Sequence, residues 1–221
     1  MLASGSDDKT VLIYGLDDQS NGSLIRTKNK EPWIRLYTLS GHTLDITDLD
    51  WSISGVVASA SMDNLIKIWN VGTRSTIASN VGAATIVSSS TSLSGHESFV
   101  KGVSFDPIDK YLISSGADNL LIIWDCKSYA EITRLVTVMG DGPDSTLFRR
   151  LSWAPDGSCF CATSASKSSR PIGVVLRRST WEQMADLVGH TVPSISTRFC
   201  PTLLVDIESK EVRAFYFSRI H

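Results

Sequence analysis

One pattern of side chains is written twice in this chain. Gly41-His42, Ser59, Asp63 and Trp69 recur as Gly95-His96, Ser114, Asp118 and Trp124. The two histidines lie 54 residues apart, the two tryptophans 55, and in both copies Asp precedes Trp by six positions. Self-similarity at a period of a few tens of residues marks a repeat architecture, in which each unit buries its apolar surface only against its neighbours.

Between these markers stand short runs rich in β-branched residues. They are ITDLDW (46–51), VVASAS (56–61) and LIKIW (65–69), then FVKGVSF (99–105), YLISSG (111–116) and LLIIW (120–124). Separated by Gly, Asp and Asn turns, they predict antiparallel strands and an all-β fold. A third copy opens at LFRRLSW (147–153) and departs after its APDG turn. KSSRP replaces the turn Asp, and VVLRRSTW replaces the strand ending in Trp. A fourth copy begins at Gly189-His190, with ISTRFCP at 195–201. Near the start, Ser4, Asp8 and Tyr14 keep the spacing, with Tyr in the Trp slot. The units expected are 1–32 (a partial unit and loop), 33–94, 95–140, 141–188 (divergent) and 189–221 (partial). Three full units between two partial ones predict an incomplete ring with open strand edges and a poorly soluble isolated chain.

A Gly-His, Asp, Trp pattern at this period resembles the WD-repeat blade of a β-propeller, and the fold expected is therefore a partial WD-repeat propeller. The departures narrow the resemblance. PWIRLYTLSGHTLDITDLDWS, SASMDNLIKIWNV, HESFVKGVSFDPIDKYL, STLFRRLSWAPDG and RRSTWEQMADLVGH, in that order, resemble the N-terminal propeller of HIRA-type histone chaperones. The likeness runs from Leu2 to about Pro201, late second blade to early sixth of a seven-bladed ring. The propeller subunit of chromatin assembly factor one shares FRRLS-x-x-PDG and is the nearest alternative. A WD-repeat substrate receptor of a ubiquitin ligase is a second. Such receptors often end a blade in WDxR, whereas these blades end WNVG (69–72) and WDCK (124–127). The resemblance implies a non-catalytic nuclear scaffold for replication-independent nucleosome assembly and chromatin-based transcription regulation. Its implied partners are ubinuclein-type subunits and, indirectly, core histones. No membrane, small-molecule substrate or cofactor is implied.

The resemblance also gives the repeated polar residues a role. In WD blades the loop His (His42, His96), strand Ser (Ser59, Ser114), turn Asp (Asp63, Asp118) and strand Trp (Trp69, Trp124) form a buried hydrogen-bonded tetrad. A serine-hydrolase triad uses three of the same residue types. Yet no GxSxG elbow is present, and two identical active sites one unit apart are a poor expectation. A structural staple in each unit fits the recurrence better.

Other chemistry is sparse. The chain carries 42% hydrophobic residues and a formal charge of -2, an ordinary balance with no global signal for nucleic acid or membrane. Cys126, Cys159, Cys161 and Cys200 form no CxxC and precede no zinc-spaced His pair; they read as small packed hydrophobes in a reducing compartment. Cys159 and Cys161 should share one strand face. Gly140-Asp141-Gly142 lacks the features of a phosphate loop, and Asp7-Asp8 and Asp17-Asp18 read as turn chemistry. One asymmetry suggests a docking patch for an acidic partner. Between Phe148 and Trp181, Arg149, Arg150, Lys167, Arg170, Arg177 and Arg178 face a single acid, Asp156.

Overall fold

A strand that is apolar on both faces must be covered on both, and this chain meets that need by stacking sheets. The computed structural model describes residues 1–16, 33–71, 85–87, 90–140, 146–201, 204–205 and 212–213. The expected loop at 17–32, most of the insertion at 72–94, Asp17-Asp18 and most of 202–221 lie outside the described residues.

The strands in chain order are β1 (Leu2–Gly5), β2 (Thr10–Leu16), β3 (Trp33–Ser40), β4 (Ile46–Trp51), β5 (Val56–Ser61), β6 (Leu65–Asn70), β7 (Thr85–Val87) and β8 (Thr91–Ser94). Next come β9 (Val100–Phe105), β10 (Tyr111–Gly116), β11 (Leu121–Asp125) and β12 (Glu131–Leu135). The last are β13 (Ser152–Trp153), β14 (Cys159–Lys167), β15 (Arg170–Arg177), β16 (Gln183–Leu187), β17 (Leu204–Val205) and β18 (Val212–Arg213). They form four four-stranded sheets, β1-β2-β3-β7, β4-β5-β6-β8, β9-β10-β11-β12 and β13-β14-β15-β16, with a separate β17-β18 pair. No helix occurs among the described residues. This is the all-β arrangement expected from the sequence, with each four-stranded sheet a blade.

Each core lies between consecutive blades. Val11, Ile13 and Leu39 of the first pack on Val57 and Trp69 of the second. Ala58, Ala60, Ile66 and Leu93 meet Val103, Leu112 and Trp124 of the third. Tyr111, Ile113 and Ile123 meet Phe160, Val174 and Leu176 of the fourth. The period-2 alternation of a strand sends Leu112 one way and Ile113 the other. Cys159 and Cys161 likewise share one buried face with Ala154 and Val175. Cys200 departs from the expected packing and is exposed.

Three expectations need correction. Trp33–Ser40, assigned to the unit 33–94, pairs along its length with β2 and belongs to the first sheet. A sequence repeat can open on an outer strand that belongs, by hydrogen bonding, to the preceding sheet. LFRRLSW yields only the two-residue β13. ISTRFCP forms no strand; Ser196 makes one isolated bridge to Arg150, and Phe199 N–H donates to Ser152 Oγ at 3.2 Å.

Turn chemistry explains where the repeat holds and where it breaks. Asp63-Asn64 and Asp118-Asn119 place Asn in the left-handed region, with φ of 67° and 60°. In the fourth blade Ser168 and Ser169 both take positive φ, 50° and 61°. Two left-handed residues close a tight hairpin without a turn Asp.

Candidate docking scaffold: tetrads and inter-blade clamps

The second blade holds its tetrad as one hydrogen-bonded chain. His42 Nδ1 lies 2.8 Å from Asp63 Oδ2, His42 Nε2 lies 2.8 Å from Ser59 Oγ, and Trp69 Nε1 donates to Ser59 Oγ at 2.8 Å. The third blade repeats it. His96 Nδ1 to Asp118 Oδ2 is 2.9 Å, His96 Nε2 to Ser114 Oγ is 2.8 Å, and Trp124 Nε1 donates to Ser114 Oγ at 3.0 Å. One tautomer satisfies every group: Nδ1–H donates to the carboxylate, and Nε2 accepts the serine proton. Asp63 also takes the N–H groups of Thr43 and Leu65, and Asp118 those of Glu97 and Leu120. Each carboxylate thus pins the strand-entry loop to the blade turn.

The electrostatics suit a staple. Burial pushes the His42 imidazole below its ordinary value, which favours the neutral ring. Burial alone would raise Asp63, but the Thr43 N–H and the His42 imidazole overcome it and hold the carboxyl low. In Asp118 burial is again the largest single influence, and the His96 imidazole together with the Leu120 and Glu97 N–H groups outweighs it and holds the carboxyl low. Ser59 and Ser114 are 0% exposed, and each hydroxyl already accepts an indole N–H. No substrate carbonyl can reach these oxygens, so the geometry lacks what a nucleophile needs.

The fourth blade has no such chain. By strand register Ala162 stands where the other blades carry Ser, and Leu176 where they carry Trp. Both are 0% exposed. Replacing hydroxyl and indole together leaves no polar orphan there. His190 is exposed.

The blade is secured by other residues, several of them from the basic stretch. Arg178 ion-pairs with Asp106 of the third blade, whose side chain is 0% exposed, and Arg178 Nη1 donates to Asp106 Oδ1 at 2.8 Å. The same guanidinium lies 5.1 Å from the Tyr111 ring centroid and 5.6 Å from that of Trp153. Trp181 meets Tyr111 edge-on, with centroids 5.1 Å apart. Arg149 is buried, donating to Gly116 O of the third blade at 3.1 Å and to Asn119 Oδ1 at 3.1 Å. Its backbone presses so close that a Cβ on Gly102 would lie 2.1 Å from Arg149 O.

The six basic residues therefore do not form one docking patch. Arg149 is internal and Arg178 bridges blades. Lys167 pairs with Asp186 at 2.5 Å, and Arg150 Nε lies 3.4 Å from Asp48 Oδ1. Arg170 and Arg177 are exposed at opposite ends of β15, about 23 Å apart for seven steps of an extended strand. Charge dense in sequence is dispersed because the β14–β15 hairpin crosses the full height of the blade.

Four aspartates that the sequence reading passed over complete the joints. Asp48 and Asp50 reach from β4 to the open edge of β9. Asp48 Oδ2 accepts Val103 N–H at 3.1 Å; Asp50 Oδ2 accepts Phe105 N–H at 2.6 Å and the Ser104 hydroxyl at 3.1 Å. Asp106 receives Arg178, and Asp109 accepts Ile53 N–H at 3.0 Å and Ser54 N–H at 2.7 Å. The available signal was ITDLDW itself, since two acids on an inner strand require partners.

Burial pushes Asp48 up from 3.8 to about 6. Between those pH values the folded chain holds a proton that the unfolded chain has lost, so this contribution to stability falls as pH rises. Asn at 48 keeps an acceptor for Val103 N–H without the buried charge. Urea midpoints of Asp48→Asn and the parent, at pH 5 and pH 7.5, should show the variant gaining about 1 kcal/mol on the parent at the higher pH. A constant difference at both pH values would mean that Asp48 is not held protonated.

Residues 33–70 and 87–125 match the family model described as "WD domain, G-beta repeat". Protein HIR1 of Cryptococcus neoformans var. neoformans (strain JEC21) is 33% identical over 192 residues, covering 86% of this chain and 20% of the relative. Protein hir1 of Schizosaccharomyces pombe is 32% identical over 216 residues, covering 96% and 22%. Protein HIR1 of Mycosarcoma maydis is 30% identical over 211 residues, covering 94% and 20%. The chain spans about a fifth of the length of these curated relatives. The paired tetrads, the blade architecture and these likenesses together make it a WD-repeat protein of the HIR/HIRA type.

Proposed function

We propose that this chain is a non-catalytic docking propeller of a histone chaperone complex, acting in the nucleus in replication-independent nucleosome assembly and transcription regulation. Its partners in this reading are the other complex subunits, of the ubinuclein type, with core histones reached through them. One observation carries the reading. Both complete Ser–His–Asp chains among the described residues are sealed beneath an indole, which leaves the blades' chemistry to their surfaces. A surface suited to docking lies on the face bearing the first turn of each blade. There a cavity of about 310 Å³ is lined by Asp50, Trp51, Phe105, Trp153 and Arg198, and Ile53 and Ile108 stand exposed on adjacent turns. A largely polar recess over buried aromatic rings, flanked by exposed isoleucines, offers a protein partner both hydrogen-bonding groups and apolar contact.

The test is capture from nuclear extract on the tagged full-length protein, with a serine-reactive probe in parallel. Chaperone subunits and histones should be retained, and Ser59 and Ser114 should stay unlabelled. Retention of ubiquitin-ligase adaptors instead, or labelling of either serine, would overturn the reading.

A further inference from the structure

The first blade carries a strand that its own meander does not supply. β7 lies parallel on the outer edge of β3, with Tyr37 opposite Thr85, Thr38 opposite Ile86 and Leu39 opposite Val87. It comes from the link between β6 and β8 of the second blade. In the third and fourth blades the corresponding links are residues 126–130 and 178–182, five residues each, whereas β6 and β8 are separated by residues 71–90. Five residues suffice for that turn, so the insertion is long enough to do something else. In this fold its described residues pair with a neighbouring blade.

An outer propeller edge presents unpaired backbone N–H and C=O groups, the template on which extended peptides add as strands. Among the described residues β7 uses that template only in part. β3 has eight residues, and β7 meets three of them, all in its C-terminal half. At the other end Trp33 is 47% exposed, and Leu16, opposite it on β2, is 43% exposed. Short parallel pairing is the weaker kind of strand contact.

We propose that the outer edge of β3 is a strand-addition site, held by the chain's own β7 and open to an extended segment of a protein partner running parallel to β3. A partner strand of seven or eight residues pairs along the whole edge and covers Trp33 and Leu16, which the tethered three-residue strand leaves bare. Alternate apolar residues are the pattern that fits, because both faces of β3 carry apolar side chains: Trp33 shares one face with Leu16, and Tyr37, beyond a bulge at Leu36, shares the other with Ile13. This surface deepens the docking reading but rests on the edge geometry alone, and its test needs no chaperone subunit.

The test uses the full chain and the variant Ile86→Pro, which removes a strand N–H from the middle of β7. Amide exchange at Tyr37–Leu39 should quicken at least tenfold in the variant, with global unfolding unchanged. A fluorescent peptide of residues 82–90 should then bind the variant at least tenfold more tightly than the parent, where the tethered copy competes at high effective concentration. A scrambled peptide of the same composition should bind neither protein. Unchanged exchange at 37–39 would overturn the proposal. So would a peptide that binds both proteins equally, or neither.

Discussion

Ser59→Ala lowers the stability of the second blade by about 2–4 kcal/mol. The substitution removes one hydroxyl but orphans two buried groups, because Trp69 Nε1 loses its acceptor and His42 Nε2 loses its donor. Each buried unsatisfied group costs about 1–3 kcal/mol. The neighbouring variant Ser61→Ala is the control: its hydroxyl donates to Leu44 O at 3.1 Å and accepts Asp63 N–H at 3.2 Å, two backbone groups at the part-buried blade rim rather than side chains sealed in the core. Chemical denaturation of both variants checks the difference, with Ser59→Ala displaced further. The fourth blade has already made the apolar exchange in full, with Ala162 and Leu176 in place of Ser and Trp. A tetrad is thus costly to damage in part, although a blade can be built without one.

The second large effect concerns Asp106. Asp106→Ala should destabilise the chain by about 3–5 kcal/mol, the range for removing one partner of a buried ion pair. It leaves the Arg178 guanidinium among Tyr111, Trp153 and the Gly157 carbonyl without its countercharge. Arg178→Met alone should cost a similar amount by stranding the carboxylate, which is 0% exposed. The double variant should cost clearly less than the two singles added together. Strictly additive losses in urea denaturation would show that the two groups do not interact.

The blade framework was open to reading from residue pattern because its causes are local. Strands such as VVASAS and YLISSG are set by β-branching and alternation, and both lie where the sequence places them. The tetrad residues stand at fixed spacings, so their convergence could be anticipated from a family likeness. What could not be read was where one blade meets the next. Arg178 and Asp106 are 72 positions apart, and no spacing rule links them. Arg149 and Arg150 are adjacent in sequence, yet one is internal and the other exposed. Charge counting along the chain treats the two alike, and only the stacking of blades separates them. The same holds for Asp48 and Asp50, whose partners are backbone groups of another sheet.

Arg177 and Arg178 give the most direct measurement, since they are neighbours with opposite assignments: one exposed at the end of β15, the other clamped between blades. Thermal denaturation of Arg177→Glu and Arg178→Glu, each in the full chain, separates a clamp from a charged patch. The midpoint should stay within a degree or two of the parent for Arg177→Glu and fall by many degrees for Arg178→Glu, where two carboxylates would then face each other out of water. Equal midpoints for the two variants would contradict the clamp.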